Sequence, residues 1–161
     1  MKKRIVSMAL LSFFMVLCLS RFSIAEEYNF GDYKSQTLMT KAWEALGKND
    51  LSAVVAYTNK CLEFYEAEAK KMQKKLKDYP KGDKAEIVAQ WWAINDVATA
   101  LYIQGEAYRN AGMNVLAKSA YRRVTDEFSF GQCWDDKGWF WRPAEAAREK
   151  LESMKILTKV L

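Results

Sequence analysis

Residues Leu101 to Ser129 constrain the fold of this chain more than any other stretch. Small and large residues follow each other there at helical spacing: Leu101, Gly105, Tyr108, Gly112, Ala117, Tyr121 and Val124. Glycine readily adopts the left-handed conformation that ends a helix, so Gly112 predicts a reversal of the chain. Gly105 and Ala117 leave room for two backbones to approach. The stretch therefore predicts two short antiparallel helices packed face to face.

The same positions resemble a tetratricopeptide repeat (TPR), a unit of 34 residues in which two helices carry small and large side chains in a set order. The chain departs from the family pattern at Gln104, where leucine is usual, and at Ser129, where proline is frequent. The resemblance implies an all-α fold. Antiparallel helical hairpins would stack in it as a short TPR-like α-solenoid, closed by a C-terminal capping helix.

Two repeats are predicted, a degenerate one at about 35–79 and a clear one at about 98–129. In the first, apolar residues recur every three or four positions, and Asp50 is a suitable N-cap. Its family positions fall on Ala42, Asn49, Ala53, Tyr57 and Cys61, one residue out of register with the later unit. Helix-forming composition extends its second helix to Tyr79, before Pro80. Another long helix is predicted from Lys84 to Ala111.

Residues 129–142 are predicted to form a loop rich in aromatic side chains: Trp134, Trp139, Phe140 and Trp141. Exposed clustered aromatic rings bind sugars or an apolar anchor of a partner. The same rings, folded back, would seal the open end of the helical stack, and the sequence leaves both interpretations open. A capping helix at 143–155 follows, with Pro143 at its first position. Repeat arrays need such an element because each unit buries its apolar face only against a neighbour.

Residues 1–25 have the pattern of a secretory signal peptide. Lys2, Lys3 and Arg4 precede an apolar run, and small residues stand three and one before a predicted cut after Ala25. The protein is therefore expected to be periplasmic or secreted, with an extended lead at 26–32 and a helical domain at 33–161. An uncleaved anchor is the alternative, although the run is shorter than the roughly 20 residues that span a bilayer. Lipidation at Cys18 is disfavoured by the bulky Leu17.

The charge balance changes when the signal peptide is set aside. The full chain has 25 basic and 20 acidic residues, but four of the basic residues lie in 1–25, which contains no acidic residue. The remainder carries 21 basic and 20 acidic residues. Nucleic-acid binding requires a clustered surplus of Lys and Arg, so no nucleic-acid partner is predicted. No later stretch is apolar enough to predict stable membrane insertion after cleavage.

Catalytic signatures are missing from the sequence. It has no histidine, no glycine-rich phosphate loop and no serine in a nucleophile elbow, so neither an enzyme nor a cofactor is predicted. Two cysteines alone do not form a tetrahedral zinc set, and no metal site is predicted. Cys61 and Cys133 could form a disulfide in an oxidising compartment, or Cys61 could be a small buried apolar residue.

The resemblance to tetratricopeptide proteins implies a scaffold whose concave groove holds a peptide or a helix of a partner protein. By the family's pattern, the groove positions are Thr99, Tyr102, Glu106, Arg109 and Asn110. They lack the lysine and asparagine set that clamps a C-terminal carboxylate in chaperone-binding members, so a mixed polar and aromatic contact is expected. The predicted function is that of a non-catalytic adaptor in the bacterial cell envelope. A carbohydrate- or peptidoglycan-binding module that uses the aromatic loop is the alternative.

Overall fold

The computed structural model describes residues 28–135 and 137–160, with side chains as far as Lys155. The predicted signal peptide at 1–25 lies outside the described residues. Six helices and one short hairpin follow in the order α1 (Ser35–Gly47), α2 (Leu51–Lys75), α3 (Lys84–Gln90), α4 (Trp92–Asn110), α5 (Asn114–Glu127), β1 (Cys133–Asp135), β2 (Trp139–Trp141) and α6 (Pro143–Val160). The predicted all-α class is confirmed. Among the helices so described, none combines the length and the apolar character needed to cross a membrane.

The helices form two antiparallel hairpins, α1–α2 and α4–α5, followed by the single helix α6. Helix α4 packs mainly on α2 and less extensively on α1. Helix α6 packs on α5 and less extensively on α4, which repeats the same arrangement one step further along the chain. Helix α6 therefore covers the last hairpin, as a capping helix does in a stacked array.

The two hairpin turns have the same backbone geometry. Asn49 and Gly112 both have positive φ, 56° and 74°, just past the ends of α1 and α4. The following N–H donates back to a carbonyl five residues earlier, from Asp50 to Ala45 in the first turn and from Met113 to Tyr108 in the second. This is the Schellman arrangement, which satisfies carbonyls left over at a helix end. The predicted role of Gly112 is confirmed, and Asn49 has the same role.

The shared turn geometry sets the register of the first hairpin. With Asn49 equivalent to Gly112, Val54 corresponds to Ala117 and Thr58 to Tyr121. Val54, Thr58 and Cys61 are all fully buried, whereas Tyr57 is only half-buried. Ala53 is buried as well, so Tyr57 alone among the predicted positions of α2 lies partly outside the core.

The second hairpin depends on a notch at Gly105. A Cβ at this position would lie 2.6 Å from Cδ1 of Tyr121, closer than atoms can approach. The Tyr121 ring, which is fully buried, occupies this space. Ala117, one turn earlier on α5, is also fully buried. The predicted close approach of the two helices at Gly105 and Ala117 is confirmed.

The two departures from the family pattern have structural explanations. Gln104 is buried, and its Nε2 donates to Asn59 Oδ1 on α2 at 2.7 Å. Ser129 Oγ accepts a hydrogen bond from Gln73 Nε2 at 3.1 Å, and the Phe130 N–H donates to Gln73 Oε1. Both side chains therefore take part in hydrogen bonds to α2.

The structure also corrects three predicted boundaries. Helix α2 ends at Lys75, before an extended Leu76 that leads towards Pro80, and not at Tyr79. The predicted helix from Lys84 to Ala111 is interrupted at Trp91, where φ and ψ are −112° and 21°. This break allows α3 to turn towards β1, where Lys84 Nζ lies 4.3 Å from the Trp134 ring centroid. Part of the predicted loop at 129–142 pairs as β1 and β2.

The lead to α1 is also more structured than predicted. Residues 28–34 contain a turn at Gly31, whose φ is 67°. The rings of Tyr28 and Phe30 both contact the Tyr57 ring of α2, at 5.8 and 5.9 Å between centroids. Tyr65 also donates a hydrogen bond from its hydroxyl to the Tyr33 carbonyl at 2.8 Å. The aromatic side chains of the lead thus hold it against α2.

The variant Gly105→Ala is predicted to destabilise the protein by about 1–3 kcal/mol, because the added methyl group would overlap the Tyr121 ring. The measurement is chemical denaturation followed by circular dichroism. Gly47→Ala is the matched control, since no atom lies within 4 Å of its Cβ position, and it should be neutral or stabilising by up to about 1 kcal/mol. If the two variants were equally stable, the claim that the Tyr121 ring fills the space beside Gly105 would be wrong.

Candidate functional site

The hairpin β1–β2 is held against α4 by the segment that precedes it. A Cβ at Gly131 would lie 2.9 Å from Ala98 Cβ and 3.0 Å from the Ile94 carbonyl oxygen, so only glycine allows this approach. The next residue, Gln132, is buried, and its N–H donates to Asn95 Oδ1 at 2.9 Å. Its side chain donates to the Pro80 carbonyl at 2.7 Å. These contacts set the position of the strands relative to α4.

An open cleft of about 500 Å³ lies between α1, α4 and this hairpin. We call it the interhelical cleft, and it is lined by Met39, Trp43, Leu46, Asp96, Thr99, Tyr102, Glu106, Cys133, Trp134, Asp135 and Trp141. The lining residues of α1 and of α4 are spaced by three or four positions, so each set occupies one helical face. Three elements that are distant in sequence therefore form a single site.

Aromatic rings form the walls of the interhelical cleft. Trp141 of β2 contacts Tyr102 of α4 edge to face, with 5.1 Å between ring centroids. It also lies 6.2 Å from the ring of Trp43 on α1, which remains 42% exposed. Burial raises the pKa of Tyr102 to about 12, and the carboxylate of Glu106 adds to this shift, so its phenol is neutral at physiological pH.

Glu106 is paired within the protein. Its Oε2 accepts hydrogen bonds from Arg109 at 3.0 Å and from Lys150 of α6 at 3.1 Å, and its Oε1 accepts from the Tyr121 hydroxyl. Burial alone would raise the pKa of Glu106, but these hydrogen bonds outweigh burial and lower it. Glu106 is thus an ionised carboxylate with its charge compensated, and it links α4, α5 and α6.

Asp96 lines the same cleft but has no such compensation. Burial raises its pKa to about 6, partly offset by a hydrogen bond from Ser35 of α1. Its Oδ2 is buried and has no hydrogen-bond partner among the described residues. Asp135 of β1 is half-buried, and its Oδ1 accepts the Lys137 N–H at 2.8 Å. Over the described part of the chain, no basic side chain forms an ion pair with either carboxylate.

The two cysteines near Asp96 are free thiols in the structure, and no disulfide joins Cys61 to Cys133. Cys61 is fully buried in α2, in agreement with its interpretation as a small apolar residue. Cys133 Sγ lies 3.1 Å from Thr99 Oγ1 and 3.6 Å from the Asn95 carbonyl oxygen. Burial raises the pKa of both thiols, that of Cys133 to about 12, and the charge of Asp96 adds to the shift. Both thiols are therefore protonated near neutral pH.

The structure places the predicted groove residues in different locations. Thr99, Tyr102 and Glu106 line the interhelical cleft. Arg109 is exposed and pairs with Glu106, so it supports the cleft from outside. Asn110 lies instead in a smaller pocket of about 150 Å³ between the α1–α2 turn and the end of α4.

The residues of the predicted aromatic patch also lie in different surroundings. Trp141 joins the groove residues in the cleft. Trp134 and Phe140 pair across the strands, with ring centroids 5.1 Å apart and planes at 82°. Trp139 is 51% exposed, with Lys137 Nζ 5.9 Å from its ring centroid. The loop is thus neither fully exposed nor fully folded back, and the groove and the aromatic segment meet at Trp134 and Trp141, which both line the cleft.

Sequence reasoning missed five residues of the cleft, namely Met39, Trp43, Leu46, Asp96 and Asp135. Asp96 had a visible signal, because it is the single acidic residue between Trp91 and Gly105 and interrupts an otherwise apolar helical run. Trp43 lies one turn after Met39 and about one turn before Leu46, which places all three on one face of α1. Asp135 gave no signal, since its position depends on the strand pairing.

Comparisons with protein families, with curated proteins and with solved structures find no match to the chain. Across the described residues, no group of three or more His, Cys, Asp or Glu side chains is placed to hold a metal ion. The function is therefore argued from the cleft itself.

The pKa of Asp96 predicts how stability depends on pH. Its folded pKa of about 6 exceeds the ordinary value of 3.8, so the folded state binds this proton more tightly than the unfolded state. The contribution of Asp96 to stability is therefore greatest below about pH 4 and is lost as the pH rises through about 4 to 6. Asp96→Asn should be more stable than the wild type by about 2–3 kcal/mol at pH 8, and this advantage should shrink below pH 4.

Denaturant unfolding of both proteins at pH 4, 6 and 8 measures this difference. The control Glu44→Gln removes an exposed carboxylate from α1 and should change the unfolding free energy by less than about 0.5 kcal/mol. If Asp96→Asn were less stable than the wild type at pH 8, the carboxylate would have an internal partner, and its assignment as uncompensated would be wrong.

Proposed function

We propose that this protein is an exported, TPR-like interaction scaffold of the bacterial cell envelope, without chemistry of its own. In this proposal the interhelical cleft holds a segment of a partner protein. The observation that carries it is the convergence of α1, α4 and the hairpin on one open cleft with aromatic walls. Aromatic side chains in partly preformed pockets supply much of the affinity in protein interfaces.

Two features of the fold favour a binding role for the cleft. Stacked helical hairpins present an extended surface on which side chains from successive units act together. The hairpin β1–β2 is held to α4 by Gly131 and Gln132, so Trp141 has a set position before any partner arrives. A site organised in advance loses less conformational entropy on binding.

The non-catalytic part of the proposal is supported by the state of the cysteines. Cys133 borders the cleft, but a thiol with a pKa of about 12 is a weak nucleophile at neutral pH, because the thiolate is the reactive form. Cys61 is fully buried. Export is supported by the sequence pattern of residues 1–25, which lie outside the described residues.

Trp43→Ala is predicted to abolish partner capture. The Trp43 side chain forms one wall of the cleft and is 42% exposed, so its removal should affect binding more than folding. The measurement is affinity capture from an envelope extract with the mature wild-type protein and the variant, followed by mass spectrometry with quantified stoichiometry.

Trp139→Ala is the matched control, because Trp139 is also an exposed tryptophan but does not line the cleft. Partners that are recovered at defined stoichiometry by the wild type and by Trp139→Ala, and lost with Trp43→Ala, would support the proposal. If all three proteins captured partners equally, the binding surface would lie elsewhere. If the wild type recovered no partner at a defined stoichiometry, the adaptor role would be contradicted.

A carbohydrate- or peptidoglycan-binding module is the second candidate, and one observation favours it. Trp139 projects from the hairpin with half of its surface exposed, and a tryptophan face of this kind stacks on sugar rings. Tryptophan fluorescence should then be quenched by glycan fragments, and the quenching should be lost in Trp139→Ala and Trp141→Ala. Fluorescence unaffected by the fragments would exclude this candidate.

A further inference from the structure

The carboxylates of the interhelical cleft are unequally compensated. Glu106 is paired with Arg109 and Lys150. Asp96 and Asp135 line the same cleft, and neither has an ion-pair partner within the described residues. Because Oδ2 of Asp96 is buried without a hydrogen-bond partner, the folded protein retains an unmet demand for a donor at this point.

The aromatic walls of the cleft, like its carboxylates, favour a positively charged group. Trp141 contacts both Trp43 and Tyr102 edge to face, all three side chains line the cleft, and Trp43 is 42% exposed. Aromatic faces carry negative electrostatic potential and attract ammonium and guanidinium groups. Carboxylates and aromatic rings thus both favour a positively charged group between them.

We infer that the interhelical cleft accepts a lysine or arginine side chain presented by an extended peptide segment of the partner protein. The aliphatic part of that side chain would lie against Trp43 and Trp141, and its charged end would reach Asp96 and Asp135. This inference rests on the proposed function, since it names the kind of segment that the scaffold binds.

Other occupants fit the cleft less well. A purely apolar anchor would exclude water from Asp96 and Asp135 without pairing them, and an unpaired buried carboxylate is strongly unfavourable. An acidic segment would add repulsion. A basic side chain in the cleft compensates the charge of these carboxylates.

The cleft also predicts how binding depends on pH. Asp96 faces Ser35 of α1, Cys61 and Tyr65 of α2, and Cys133 of β1. The pKa values of both thiols and of the Tyr65 phenol are raised, so these groups stay neutral between pH 5 and 8. Affinity for a basic peptide should therefore rise as Asp96 ionises, and should level off above about pH 7.

The test uses acetylated and amidated nonapeptides of glycine and serine with one central residue, which is lysine, arginine, norleucine or glutamate. Binding to the mature protein is measured by isothermal titration calorimetry at low salt and by tryptophan fluorescence. We expect the lysine and arginine peptides to bind at least about tenfold more tightly than the norleucine peptide. The glutamate peptide should bind most weakly.

Three variants assign the effect to the cleft. Asp96→Asn and Asp135→Asn should each reduce the preference for lysine over norleucine about tenfold, a factor that corresponds to 1.4 kcal/mol. Glu44→Gln removes an exposed charge from the outside of α1 and should leave the preference unchanged. Asp96→Asn should also remove the rise in affinity between pH 5 and pH 7.

Equal affinities for the lysine and norleucine peptides, or saturable binding by none of the four, would overturn the inference. So would a preference for lysine that survives both asparagine variants, or quenching by glycan fragments in place of peptides. These results are separate from a failure of the proposed function. The cleft fails as the binding surface when Trp43→Ala captures partners as the wild type does, and the scaffold role fails when the wild type captures none.

Discussion

The rest of the structure depends on the packing of the Tyr121 ring against Gly105. With no side chain at Gly105, α5 approaches α4 closely enough for the phenol to be fully buried and for its hydroxyl to reach Glu106. The other oxygen of Glu106 binds Lys150 of α6. One missing methyl group thus allows three helices to be joined through a single compensated carboxylate, which forms one end of the interhelical cleft.

Helix α4 connects this packing to the candidate site. Helices α2 and α5 pack extensively on it and α1 less so, and most of its residues are buried. Asn95 and Thr99 face the strand segment and hold Gln132 and Cys133. Tyr102 and Glu106 continue along the same side into the cleft. The helix that organises the core therefore also positions the groove, and a change in its packing would alter the site.

The sequence predicts those parts of the fold that are encoded locally. Gly112 and Asp50 specify helix ends through their own backbone and side-chain chemistry, and both occur as expected. Asn49 also ends a helix with positive φ, although asparagine is a weaker signal for such an end than glycine. The approach of the strand segment to α4 could not be predicted, because it requires Gly131 to meet Ala98, more than thirty residues away. The same dependence concealed Asp135, and the sequence therefore indicated two separate sites where the structure has one.

The buried polar residues of α4 show why Asp96 is unusual. Gln104 is paired with Asn59, Asn95 accepts from the Gln132 N–H, and Thr99 donates to the Asn95 carbonyl. Each of these groups is satisfied inside the protein, as buried polar groups normally are. Asp96 alone among them has a buried oxygen without a partner and a pKa raised by burial. Packing of the helices does not require a charge at this position, since an asparagine would fill the same volume. The proposed binding of a positively charged group beside Asp96 would give a reason for a carboxylate that burial disfavours at this position.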